Sequence, residues 1–267
     1  MEQAPFPAPA ASPAPAPADP PGPGEVLSAA TSVTLDNAGL ILGLWLACGL
    51  PPQLIGFVVG LSTGLSNQNS IRDAISSQNY GALGALAVVA VVGLAFGLVG
   101  YTATVVLTSR ALRGEPNTVG GVLLEALRRM IPMLIASIVT GVAVGFGFVF
   151  FFVPGMYLMI RLSMALAAVV VEGRGPIESM SRSWSLTAGR FWGTAIVVAS
   201  VIAVAFFAMI GVVTAGFIFR LATSLLGPAG GLLGGLVVNA LQFVVSAWAA
   251  ACMTMYFLGL ADSGPAA

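Results

Sequence analysis

The sequence predicts an all-α fold, a polytopic membrane helical bundle of about six transmembrane helices plus two interfacial amphipathic helices. Three observations carry that expectation. Charged residues make up 7% of the 267-residue chain, against about 25% in soluble domains. Mean hydropathy is +0.99. Between residues 38 and 260, long apolar runs alternate with short polar stretches that hold nearly all the arginine. A surface of this kind is solvated by lipid and not by water, and a helix needs about 20 apolar residues to cross a hydrocarbon slab about 30 Å thick.

Residues 1–30 form a Pro/Ala-rich segment, with nine of the seventeen prolines in the first 24 residues. Such a tract has too little apolar surface to fold, so a disordered, solvated tail is expected. It lacks the basic n-region and apolar h-region of a signal peptide. The membrane domain covers residues 38–260. Its first span, 38–61, carries Pro51 and Pro52 at its middle, where two missing amide donors should kink or break the helix. Small-residue ridges such as Gly56, Gly60 and Gly64 in that region permit close helix contact. A Ser/Asn/Gln-rich loop over 62–80 leads to the second span, 82–108, and the third covers 131–153.

Pro154 and Gly155 follow at once and predict the turn of a tight helical hairpin, with a short fourth span at 156–171. The fifth span covers 192–219 and the sixth 232–260. Two connections have helical periodicity of their own. Over 118–130, Val119, Val122, Leu123, Ala126, Leu127 and Met130 recur at helical spacing, leaving Glu125, Arg128 and Arg129 on the other flank. Over 176–189, Pro176 suits a first helical position, Ile177, Met180 and Trp184 line one side, and Arg182 lies near the polar face. Trp184 and Trp192 would anchor that helix at headgroup depth.

Orientation follows from arginine placement. The connection between spans two and three holds Arg110, Arg113, Arg128 and Arg129, and that between spans four and five holds Arg174, Arg182 and Arg190, which is seven of the ten arginines. Short loops rich in arginine stay cytoplasmic, so both termini are expected inside and the 62–80 loop outside, as in a multi-pass protein of the inner membrane. Contacts of Arg128, Arg129, Arg174, Arg182 and Arg190 with anionic headgroups are expected. Ten arginines balance ten acids, so no basic excess points to nucleic acid.

Catalysis has little to work with. Histidine is absent, which removes a Ser-His pair and the usual zinc sites. Glu115, Glu125, Glu172 and Glu178 all fall in connections, and Cys48 and Cys252 lie inside apolar runs as small hydrophobes. Neither enzymatic activity, a cofactor nor a metal is expected. Arg161 is the most informative single residue, seven positions after Pro154 and therefore about 10 Å down a helix. Its charge must snorkel or find a partner. Asn239 and Gln242, three apart on one face of the sixth span, are its expected neighbours.

The stretch from Pro154 to Trp192 resembles the glycerophosphoryl diester phosphodiesterase membrane-domain family. The residues that carry the likeness are Pro154, Gly155, Tyr157, Arg161, Glu172, Gly173, Arg182, Ser183, Trp184, Arg190 and Phe191, and residues 108–130 look similar in plan. The resemblance implies a helical membrane module that in some relatives accompanies a soluble catalytic barrel built on histidine and metal-binding acids; nothing in this chain corresponds to that barrel. The expected function is thus a non-catalytic accessory or scaffold module that associates with anionic lipid or another membrane protein. The alternative is a transporter or lipid-handling protein with a polar cavity between spans four and six, around Arg161.

Overall fold

The computed structural model describes residues 20–64, 68–223 and 227–263. Among these residues there are twelve helices and no strand. Six stretches are long and apolar enough to cross a membrane: Ala38–Thr63, Tyr80–Leu112, Met130–Phe150, Phe152–Val171, Phe191–Thr223 and Ala229–Asp262. The chain is an all-α, multi-pass membrane bundle.

The first helix corrects the expected tail. Residues 23–30 belong to α1, Pro23–Asp36; the expectation for residues 1–19 lies outside the described residues. Pro23 occupies the first turn, where its missing amide costs nothing, and the Glu25 carboxylate accepts from the Gly22 amide at 3.1 Å. Val26, Ala30 and Thr34, spaced by four, are buried, and Val26 and Ala30 pack in the cluster of Tyr256, Phe257 and Leu260.

The first span is two helices, α2 (Ala38–Cys48) and α3 (Leu50–Thr63). The break falls at Gly49, so that Pro51 and Pro52 sit in the first turn of α3 and need no donor. A short helix, α4 (Gln68–Ser76), occupies the polar stretch before α5 (Tyr80–Leu112). At about 1.5 Å per residue, the 33 residues of α5 are long enough to project beyond a 30 Å slab, which carries Arg110 to its end. Gly114 adopts a left-handed conformation, φ +67°, and turns the chain into α6 (Val119–Arg128), whose Thr118 cap accepts from the Gly121 amide at 3.2 Å.

A second correction concerns the hairpin. Its turn is Phe151 alone, in an extended conformation between α7 (Met130–Phe150) and α8 (Phe152–Leu162). Pro154 and Gly155 lie within the first turn of α8, where proline is as well accommodated as in a loop. Gly155 instead serves the crossing: a Cβ on Gly147 would stand 2.9 Å from the Gly155 Cα. The fourth span continues, after a break at Ser163 and Met164, into α9 (Ala165–Val171). A turn at Gly173, φ +67°, leads to α10 (Pro176–Thr187), then to α11 (Phe191–Thr223) and α12 (Pro228–Asp262).

The buried side chains concentrate at one end. One cluster joins Leu44, Val106, Val122, Met133, Val170 and Ala250, and the other joins Met164, Val198, Cys252, Tyr256 and Leu260 to α1. Both lie where α6, α10 and most of the arginines are. Toward the other end, α7, α8 and α11 present Phe146, Val149, Phe152, Phe207 and Phe217 outward, as lipid-facing surface requires.

Candidate functional site

Of the 154–192 stretch, Tyr157, Arg161, Ser183, Trp184 and Phe191 are brought together, and they build a clamp. Arg161 and Tyr157 lie four apart on α8, and the Arg161 Nε donates to the Tyr157 hydroxyl at 3.0 Å. Its guanidinium also stands 5.2 Å from the Tyr157 ring centroid, 5.1 Å from Trp184 and 5.7 Å from Phe191. Its Nη1 donates to Thr187 Oγ1 at 3.3 Å. The expected contact with Asn239 and Gln242 does not form. The reason is that α10 folds back along α9 and the end of α8 instead of lying apart from them, which delivers an aromatic cage to the cation. With Tyr157 37% and Trp184 43% exposed, such cation–π contacts are worth about 0.5–1 kcal/mol.

Ser183 does a different task in the same place. It is fully buried; its Oγ donates to the Arg161 carbonyl at 2.6 Å and accepts from the Met164 amide at 3.2 Å. Those two backbone groups flank the break between α8 and α9, and one hydroxyl from α10 bridges it. Glu172 accepts from Arg182 at 3.0 Å and also from Arg174. Arg190 donates to the Ser263 hydroxyl at 2.5 Å and to its carbonyl at 3.4 Å, tying the start of α11 to the end of α12.

The other connection is tied in a parallel way. Glu125 on α6 accepts from Arg110 at 2.5 Å and from Arg129 at 2.8 Å. Arg129 reaches on to the carbonyls of Val169, at 3.4 Å, and Val170, near the α9 terminus where helical carbonyls lack donors. Of the five arginines expected to meet lipid, Arg129, Arg182 and Arg190 are thus engaged within the chain, and Arg174 is paired although exposed. Arg128 is exposed and has no ion-pair partner among the described residues.

The groove lies elsewhere, along α12. Gly231, Gly235, Asn239, Gln242 and Ser246 recur at intervals of four, four, three and four, which places them on one helical face. They line three neighbouring cavities. The first, about 390 Å³, is walled by the α2–α3 junction, α5 and α12, with Tyr101, Thr104, Gln242 and Ser246 contributing polar groups. The second, about 390 Å³, shares Asn239 and Gln242 with it and adds Gln53, Gly216 and Arg220. The third, about 410 Å³, shares Phe217 and Arg220 with the second. The polar space therefore lies among spans one, two, five and six, and not between spans four and six as expected.

Few of these polar groups are satisfied by the protein. Asn239 Oδ1 accepts from Trp45 Nε1 at 2.9 Å. The Gln53 and Gln242 amides and the Tyr101 hydroxyl have no hydrogen-bond partner among the described residues, although all three line the cavities. Pro51 and Pro52 offer no amide hydrogen to the carbonyls of Ala47 and Cys48. Gln242 is near the middle of the 35-residue α12, so this polarity lies deep in the apolar slab. Neutral amides and hydroxyls can solvate hydroxyl, ester or amide groups, and the guanidinium of Arg220 can bind a phosphate or carboxylate. Sequence reasoning found Asn239 and Gln242 but missed Gln53, Tyr101 and Arg220; the Pro-Pro-Gln run and the small and polar stripe on span six were the available signals.

No family model matches the chain, and no curated protein or solved structure matches it either.

Proposed function

We propose that this is a non-catalytic protein of the bacterial inner membrane that handles lipid, taking the polar part of an amphiphile into the groove along α12. One observation supports the reading above others. Gln53, Tyr101 and Gln242 present hydrogen-bonding groups to open space at mid-span, with no partner among the described residues. An amide left unpaired in an apolar medium costs about 2–7 kcal/mol, so polarity at this depth is expected only where it lines a cavity for water or ligand. Arginine distribution supports placing both termini and the ion-paired end on the cytoplasmic side. Kinship with the glycerophosphoryl diester phosphodiesterase membrane-domain family is part of this proposal and would accord with a non-catalytic module.

The test is retention of lipid. Full-length protein extracted in mild detergent should carry lipid through purification, read by native mass spectrometry, and the pair Asn239→Leu with Gln242→Leu should lose it. Equal retention by the variant overturns the reading. Reporter fusions at Gly114 and Gly173 should report cytoplasm; a periplasmic signal overturns the orientation.

A second reading, an accessory module seated on the anionic leaflet, draws on α6. Leu124 and Leu127 on α6 are exposed beside Arg128, which has no ion-pair partner among the described residues, the arrangement of a helix lying at headgroup depth. Each such arginine contributes about 1 kcal/mol toward anionic lipid. Arg128→Gln should then weaken preference for anionic vesicles about fivefold, and unchanged preference removes this reading.

A further inference from the structure

The chemistry at the mouth of the groove identifies what enters it. Arg220 belongs to the end of the bundle opposite the ion-paired connections, it is exposed, and no carboxylate pairs with it among the described residues. It does not simply project from the helix. Its stem crosses α12 at Gly234, where a Cβ would stand 3.0 Å from the Arg220 Cγ. A side chain at 234 would require the Arg220 stem to give by a few tenths of an ångström, and the stem's close approach to Gly234 places Arg220 along the groove, where it lines both the second and third cavities.

From Gly234 to Gln242 is eight residues, about 12 Å along the helix axis. Over that length the wall offers Gln53, Asn239 and Gln242 in turn. A single unpaired cation thus leads to a run of uncharged donors and acceptors. That sequence fits an anionic group held at Arg220 with hydroxyl or ester groups behind it, because guanidinium binds phosphate oxygens through charge-assisted paired hydrogen bonds. The sides of the groove say where such a molecule comes from. Val213, Phe217 and Leu221 line the outer cavities and face outward, Phe217 at 64% exposure, so the opening is toward acyl chains and not only toward water. Below Ser246 the path ends against Ala247, Ala250 and the packed cluster of Leu44, Val106 and Met133.

We infer that the groove binds the phosphate-bearing headgroup of an anionic phospholipid, drawn from the leaflet at the Arg220 end, with Arg220 holding the phosphate and the amides of Gln53, Asn239 and Gln242 holding the polar groups behind it. This rests on the reading of the groove as an amphiphile site. The lipid's tails stay in the bilayer beside Phe217, and the closed lower end admits the headgroup from one leaflet only.

The experiment titrates detergent-solubilised, full-length protein with phosphatidylglycerol or with phosphatidylcholine of the same chain length, reading bound lipid by native mass spectrometry. Phosphatidylglycerol should bind the wild type more tightly. Arg220→Gln should lower its affinity about tenfold, the size of one charged hydrogen-bonding contact, and bring the two lipids to parity. Arg220→Lys should keep part of the preference, and unchanged thermal stability of both variants should show that folding is intact. Equal binding of the two lipids by wild type, or a preference that survives Arg220→Gln, overturns the inference while leaving the groove reading intact. Millimolar inorganic phosphate should not displace the lipid; displacement overturns the lipid source in favour of a free anion. If Gln242→Leu leaves binding of both lipids unchanged, the groove reading itself fails, and this inference with it.

Discussion

The two ends of the bundle meet the same difficulty, polar groups placed within or beside hydrocarbon, in opposite ways. At the ion-paired end most polar side chains are engaged within the chain: Glu125 between Arg110 and Arg129, Glu172 between Arg174 and Arg182, Ser183 across the break in the fourth span, and Arg161 beside three aromatic rings, although Asn117 Oδ1 is buried there without a hydrogen-bond partner among the described residues. At the Arg220 end polar groups face space, and glycines bring the helices close without filling it. A satisfied polar network fixes one packing, whereas an unsatisfied one waits for a partner. Stability should therefore reside in the first region and binding in the second, and substitutions can separate them.

The largest effect should come from Glu125→Ala. It removes one carboxylate, 26% exposed, and leaves Arg129, 29% exposed, without its anion and Arg110, 27% exposed, with only Glu115 at 3.9 Å. Hydrogen bonds to charged groups contribute about 1.5–3 kcal/mol, and partial exposure moderates the loss, so a decrease of about 2–3 kcal/mol is expected in reversible unfolding from mixed micelles into SDS. A loss no greater than that of an exposed substitution such as Glu178→Ala would mean that the network contributes nothing.

Ser183→Ala follows, at about 2 kcal/mol. It strands the Arg161 carbonyl and the Met164 amide in a buried place, and an unsatisfied buried group costs about 1–3 kcal/mol. Ser183→Thr, which retains the hydroxyl, should recover part of this. Hydrogen exchange at the Met164 amide should accelerate in the alanine variant and not in an α6 variant. Arg161→Lys should cost less, about 1 kcal/mol, because an ammonium keeps the charge but loses the planar contact with Trp184 and Phe191. Quenching of Trp184 fluorescence is a direct readout of that contact.

Legibility differed between these regions for physical reasons. The six spans could be read because about 20 consecutive apolar residues have few explanations other than lipid. The turn of the hairpin was misplaced because proline suits both a loop and the first turn of a helix, and the chain used the second option at Pro154. The helix at Pro23–Asp36 was hidden by the proline tract before it, although Val26, Ala30 and Thr34 mark a buried face every fourth residue. Arg161 was legible as a costly charge, but its partners were not, because they arrive on α10, whose folding back against α9 depends on tertiary contacts such as Ser183 to Arg161. Asn239 and Gln242 could be recognised as one face; that Gln53 and Tyr101 complete it required knowing which spans are neighbours.

The smallest effect on stability should come from the region that matters most for binding. Gln242 makes no side-chain hydrogen bond among the described residues, so replacing it with leucine removes none of those bonds and exchanges an amide in hydrocarbon for an apolar group of similar length. Transfer energies favour that exchange, and the cavity beside it means that the new side chain meets no tightly packed wall. Gln242→Leu should therefore change unfolding stability by less than about 0.5 kcal/mol, or raise it, while ligand retention falls. Asn239→Leu should cost somewhat more, because Trp45 loses its acceptor. A drop of about 2 kcal/mol in Gln242→Leu would place that amide among the structural groups of the ion-paired end. The contrast between the two regions would then reduce to one of packing density alone.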